Sequence, residues 1–177
     1  MSASSAQEKL KKGNEYKEKG NAYFKAEDFG NAMFQYHCGI LEVKAITSQN
    51  SQQMKGLIPA SSKMEVTEQE YRDADNLFVF LSSNLAMCQL KLGKIDRAIK
   101  SCSDALSIDP NHSKSLYRRG KAYLEKSEWR DLEKARKDLE TAQKVAPEDK
   151  AIALLLTHLG KSSFWEGQPR ECQEEFG

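Results

Sequence analysis

Three stretches of this chain repeat one pattern: GNAYFKAEDFGNAMFQYHCGI, LAMCQLKLGKIDRAIKSCSDALSIDP and RGKAYLEKSEWRDLEKARKDLETAQKVAP. Internal repetition constrains a fold strongly, because one unit cannot bury its apolar face alone and must stack on the next. Each unit has a small residue early, then an apolar or aromatic stripe, a turn and a second helical segment. In that second segment an alanine is followed at i+4 and i+7 by a set of apolar or small residues. These are Ala32, Tyr36 and Gly39, then Ala98, Cys102 and Ala105, then Ala135, Leu139 and Ala142. This spacing puts each set on one helical face, where small residues let a neighbouring helix approach and the i+4 residue fills the groove between them. Pro110 after Ala105 and Pro147 after Ala142 stop each helix from running into the next unit.

The pattern resembles the tetratricopeptide repeat (TPR), a helix–turn–helix unit of about 34 residues. The resemblance covers residues 9 to 147, and two departures stand out. Ala98 and Ala135 are spaced so that the third unit carries about three extra residues, which we place in its turn around SEWRDLE. Between Ala32 and Ala98 about thirty residues are inserted. Within them, SQNSQQMKGLIPASSK, polar and with Gly56 and Pro59, reads as a loop. VTEQEYRDADNLFVFLSSNLAMCQLKLG then reads as one long helix, with Thr67 as N-cap and Glu70 as its capping-box partner. Pro147, Glu148 and Asp149 suit a further helix start, and Ile152, Leu155, Leu156 and Leu159 give it an apolar stripe. That helix caps the raw end of the stack. Phe164 and Trp165 are candidates to extend the cap, and the remaining tail reads as disordered.

The expected architecture is all-α: a TPR superhelix of three helix pairs plus a C-terminal capping helix, seven helices in one domain over 1–177. Repeat one falls at about 9–46, the inserted loop at 47–66, repeat two at 67–110, repeat three at 111–146, and the cap and tail at 147–177.

Several function classes are disfavoured. The 27 basic and 26 acidic residues nearly cancel, so a global polycation for nucleic acid is not expected. No apolar run is long enough for a membrane span, and the start MSASSAQEKLKKGNEYKEKG lacks the apolar stretch of a signal peptide. The expected compartment is the cytoplasm, with the nucleus open. Cys38, Cys88, Cys102 and Cys172 form no CxxC pair, so buried, reduced thiols are expected rather than zinc or disulfides. His37, His112 and His158 are isolated, with His112 read as a surface residue. There is no phosphate loop and no metal-ligand spacing, so neither an enzyme nor a cofactor or metal is expected.

What the repeats leave over is polar. In a repeat stack the first helices line a concave groove, and a polar residue there is free for a ligand. The first unit offers Lys17 and Asn21 one turn apart, the second offers Asn84, and the third offers Lys114 and Arg118, again one turn apart. Three cations and two amides suit an anion, best of all two carboxylates close together.

That set resembles, residue by residue, the carboxylate clamp of chaperone-binding TPR domains. The resemblance implies a ligand, the C-terminal EEVD tail of the 70-kDa or 90-kDa heat-shock chaperones, and a non-catalytic adaptor function. Lys17, Asn21 and Asn84 would hold the terminal carboxylate, and Lys114 and Arg118 the last Asp and the residues before it. SSNLAMCQLKL and LYRRGKAYL are similar to the TPR domains of large immunophilins, while the insertion is more like that of small stand-alone TPR proteins. With repeats beginning almost at Met1, no prolyl-isomerase domain is expected. Tyr23, Phe24, Tyr36 and Lys121 are further candidate groove contacts, though ordinary inter-helix packing is the stronger reading of the aromatics. Arg119 is placed on another face.

Two rivals use the same groove. One is a general scaffold that binds a different peptide through the groove or the insertion, where Met54, Leu57, Ile58 and Met64 offer apolar contacts. The other is self-docking of the acidic tail ECQEEFG. The oligomeric state is left open.

Overall fold

The computed structural model describes residues 5–53, 65–126 and 129–160, apart from the side chain of Trp129. Every regular element among them is helical: α1 (Ser5–Lys25), α2 (Phe29–Lys44), α3 (Ser48–Gln53), α4 (Glu68–Lys91), α5 (Ile95–Ile108), α6 (Ser113–Lys126), α7 (Trp129–Val145) and α8 (Lys150–Gly160). α1 packs on α2, α4 on α5 and α6 on α7, and the pairs stack through α2 on α4 and α5 on α6. α8 closes the end against α7.

Local chemistry sets the helix boundaries. The Glu70 N–H donates to Thr67 Oγ1 at 3.2 Å, and the Thr67 N–H donates to the Glu70 carboxylate at 2.8 Å. The two bonds form the capping box that starts α4 and satisfy donors a helix start leaves unpaired. The Asn31 N–H donates to Asp28 Oδ1 at 3.0 Å to start α2, and this bond holds the Asp28 carboxyl below its ordinary range. Asp149 caps α8 by accepting from the Ala151 N–H at 2.9 Å.

The turns between paired helices need one left-handed residue. Gly93 supplies it between α4 and α5 at φ 67°, and Glu27 supplies it between α1 and α2 at φ 58°. Both sit at the same place in their repeats, ahead of Ala98 and Ala32.

The repeat residues become the core. Ala32, Ala98 and Ala135, with Cys102, Ala105, Leu139 and Ala142, are wholly buried, and Tyr36 is 2% exposed. Backbones approach so closely that a Cβ on Gly20 would lie 2.6 Å from the Tyr36 ring, and one on Gly120 would lie 2.8 Å from Leu139 Cγ. Ile152 and Leu159 of α8 pack into the cluster of Leu106, Leu116 and Leu139, as a capping helix must. Cys88 and Cys102 are buried, and burial pushes their thiols up to about 11 and about 12. Cys38 is only half-buried, short of the burial expected of it.

The inserted segment is not a loop throughout. Ser48–Gln53 forms α3, which raises the expected seven helices to eight among the described residues. The Ser48 N–H donates to Asp75 Oδ1 at 2.9 Å, and the Ser51 hydroxyl lies 2.9 Å from the Tyr71 hydroxyl, tying α3 to α4. Gly56, Pro59, Met54, Leu57, Ile58 and Met64 lie outside the described residues, as do Phe164, Trp165, Cys172 and the rest of the tail. Residues 129–133, expected within the third-unit turn, belong instead to α7, which begins at Trp129. Among the described residues no helix is long and apolar enough to cross a membrane.

A left-handed glutamate costs about 1–2 kcal/mol that a glycine avoids. Glu27→Gly should therefore stabilise the fold by about 0.5–1 kcal/mol once the added freedom of the unfolded chain is offset, read as a higher urea midpoint at unchanged m-value.

Candidate functional site

α1, α4 and α6, the first helices of the three pairs, converge on one cleft. It has a volume of about 250 Å³, and its walls include Asn21 and Phe24 of α1, Asn84 and Met87 of α4, and Arg118 of α6. Tyr36 reaches it from α2. The helical spacing of α4 explains why Asn84 and Met87 share this wall, one turn apart on one face of the helix.

The polar groups are arranged by their own bonds. The Tyr36 hydroxyl donates to Asn21 Oδ1 at 2.8 Å. Arg118 Nη1 donates to Ser83 Oγ at 2.5 Å and to Asn84 Oδ1 at 3.3 Å. Both amides thus spend their acceptor oxygen on the protein, so what they can offer a ligand is N–H. Arg118 forms no ion pair among the described residues, and its other N–H groups have no protein acceptor there. Burial pulls its pKa below the ordinary guanidinium value, yet a guanidinium remains charged at any ordinary pH. Burial also pushes the Tyr36 phenol up to about 12, against the opposing charge of Arg118 and hydrogen bonding from the Asn84 amide. The phenol therefore stays a neutral donor to Asn21. The result is a cleft that sets amide donors beside an unpaired guanidinium, which favours an anion with several acceptor oxygens.

Of the residues singled out in the sequence, the cleft gathers Asn21, Asn84, Arg118, Phe24 and Tyr36. Tyr36 does so while almost wholly buried, so its ring serves inter-helix packing and only its hydroxyl edge serves the cleft. Lys17 sits one turn before Asn21, half-buried, with Nζ donating to Asn14 Oδ1 at 2.9 Å and 3.6 Å from Glu18. Lys114 is exposed at the start of α6, and Lys121 is half-buried further along it. None of these three lysines, nor Tyr23, lines the cleft walls. Arg119 faces away and makes a two-pronged pair with buried Asp138, both contacts at 2.7 Å.

The sequence reading missed Glu18, Lys25 and Ser83. Glu18 places an acid on the cleft wall, where the five chosen residues carry none. Its signal was its position three residues before Asn21, on the same helical face. Ser83 was hidden because it acts only through Arg118, across a helix boundary. His112 is not the surface residue expected: it is half-buried, its ring stands edge-on to Phe80 at 5.6 Å, and Nδ1 lies 2.8 Å from Ser115 Oγ. Among the described residues, no group of His, Cys, Asp and Glu could hold a metal ion.

The family model described as "Tetratricopeptide repeat" matches residues 81–112. Mouse peptidyl-prolyl cis-trans isomerase FKBP4 is 34% identical over 147 residues, which are 83% of this chain and 28% of that protein. The chain thus spans just over a quarter of the curated relatives it matches. Among solved structures, the C-terminal TPR-containing domain of an FK506-binding protein from Plasmodium falciparum superposes with a TM-score of 0.69 at 23% identity, covering 87% of this chain and 89% of that one. The second TPR domain of human RPAP3, in complex with the HSP70 peptide SGPTIEEVD, superposes with a TM-score of 0.60 at 25% identity, covering 89% and 99%.

The site region carries one pH-dependent element. Burial holds His112 below its ordinary value near 6.5, with Arg118 and Lys114 acting in the same sense and Asp109 opposing them. A depressed pKa contributes stability that is full above the unfolded value and is lost as pH falls through the folded one. The wild-type urea midpoint should thus fall from pH 7.5 to pH 5.5 by more than that of His112→Gln, which keeps a bonding partner for Ser115 but does not titrate.

Proposed function

We propose, from the premise that this chain is a tetratricopeptide-repeat fold resembling the repeat domains of immunophilins, that its cleft captures the acidic C-terminal tail of a heat-shock chaperone of the 70-kDa or 90-kDa class. The observation that carries this reading is Arg118: a half-buried guanidinium with no carboxylate partner among the described residues, beside two amides whose oxygens are already bonded. A free C-terminus next to an Asp side chain supplies the paired carboxylates such a cleft lacks. The EEVD ending of the peptide bound by the human RPAP3 domain has that chemistry.

In this reading Asn21 and Asn84 donate to the terminal carboxylate, and Lys17 joins them by leaving Glu18, an ion pair of 3.6 Å with an exposed partner whose loss costs little. Arg118 and the exposed Lys114 hold the Asp carboxylate from the other side. Phe24 and Met87 offer the apolar wall for the preceding Val. The protein acts as a non-catalytic adaptor in the cytoplasm, and the isomerase activity for which its relatives are named is not assigned to it. Affinity is on the order of micromolar and falls with salt, because the contacts are few and partly solvated.

Calorimetric titration with a peptide ending in MEEVD, beside its C-terminal amide, tests the reading. The free acid should bind, and the amide should bind at least about tenfold more weakly. Arg118→Ala and Lys114→Ala should each weaken the free acid by about tenfold or more. Glu18→Gln should instead strengthen it about two- to threefold, by removing a like charge from the wall. Equal binding of acid and amide, or no binding of either, would discard the chaperone-tail reading.

A further inference from the structure

The other face of α4 carries a second groove, unrelated to the cleft. Phe78, Ser82, Leu85 and Gln89 recur at i, i+4, i+7 and i+11 and form its floor, which places them on one stripe opposite Asn84 and Met87. α2 and α5 form its two walls, and its volume is about 500 Å³. The α2 wall presents Phe34 and Leu41, which are 59% and 61% exposed. Two large apolar side chains left in water beside an apolar floor mark a surface that gains by being covered.

Three further observations define what covers it. Lys44, Arg97 and Lys100 stand on the rim against one acid, Asp104, and none of the three cations forms an ion pair among the described residues. Gln89 on the floor is 7% exposed, and its Oε1 is buried without a hydrogen-bond partner. A buried acceptor left unmade costs about 1–3 kcal/mol, so it is an opening for a donor. Finally, the groove runs between two helices over the ridge of a third, the shape that accepts the apolar face of an amphipathic helix.

We propose that this groove docks an acidic amphipathic helix of a partner protein. The helix would set two apolar side chains on Phe34, Leu41, Phe78 and Leu85, turn Asp or Glu toward Lys44, Arg97 and Lys100, and give one side-chain N–H or O–H to Gln89 Oε1. The donor comes from a side chain because backbone N–H groups inside a helix are already bonded. A second copy of this chain fits poorly, since a two-fold contact through this face would bring like cations together. The proposal does not depend on the chaperone-tail reading.

The test is a phage-displayed library of random peptides of about 15 residues, four turns of helix, selected against the full chain. Enriched sequences should pair apolar residues at i and i+3 or i+4 with Asp or Glu beside them, and carry an amide or hydroxyl on the apolar face. A synthetic peptide of that consensus, followed by fluorescence anisotropy, should lose about tenfold or more in affinity for Leu41→Glu and for Arg97→Glu, both exposed positions. It should lose several-fold for Gln89→Met and bind Arg118→Ala unchanged, with circular dichroism confirming that each variant is folded. No enrichment, enrichment of basic peptides, or a consensus peptide indifferent to Leu41→Glu would overturn the proposal. So would a dimer in sedimentation that Leu41→Glu dissolves, which would assign the face to a second copy. Displacement of the consensus peptide by a synthetic peptide of residues 161–177 would assign it to the chain's own tail and overturn the proposal as well.

Discussion

The contact between Gly20 and the Tyr36 ring is where packing and site become one problem. α1 can lie against α2 only because residue 20 has no Cβ, which would meet the ring at 2.6 Å. In that close approach the ring fills the space between the first two pairs, in the cluster with Ala32, Leu81 and Leu85. The hydroxyl at its far edge then meets Asn21, the residue after the glycine, at 2.8 Å. Interiors are packed densely enough that such a contact has one solution, so the same ring that spaces the helices also turns the Asn21 amide. Gly120 against Leu139 repeats the spacing device in the third pair, with Arg118 one turn-half away on the free side of the same helix.

α4 is the element with the most varied duties. Its capping box starts it at a defined residue, and it packs between α2 of the first pair and α5 of its own. Of its two remaining stripes, one faces the donor cleft and the other the apolar groove with the basic rim. Each has a polar group under tension with its surroundings: a guanidinium without a carboxylate on one side, an amide oxygen without a donor on the other. Unmet polar groups inside a packed structure are places where a ligand can add more than it displaces. A helix between two grooves offers a rigid support for both, since neither asks the backbone to move.

Much was legible beforehand for a physical reason. Helical periodicity and the recurrence of alanine with an i+4 filler are local in sequence, and they place the three pairs, the long α4 and the capping helix. The capping box at Thr67 and Glu70 is equally local. Asn21, Asn84 and Arg118 could be selected because a repeat assigns equivalent positions to one side of the stack. α3 escaped because SQNSQQ has no apolar period, and its tie to α4 through Asp75 and Tyr71 joins residues far apart in sequence. Cys38 and His112 were misjudged for the same reason: burial depends on neighbours that no local pattern records.

By itself, then, the chain's sequence determined the period, the capped start of α4 and the pairing of helices in three repeats, because those follow from spacing along one helix. Tertiary structure alone decided which donors remain free. Lys17 turns to Asn14 and Glu18, Asn84 turns its oxygen to Arg118, and Glu18 lines the cleft it was not expected to enter. It alone also showed the groove behind α4, because a surface shared by α2, α4 and α5 exists only once three separate segments have packed. Side-chain hydrogen bonding across helices is a matter of distance and orientation in space, and no periodicity encodes it.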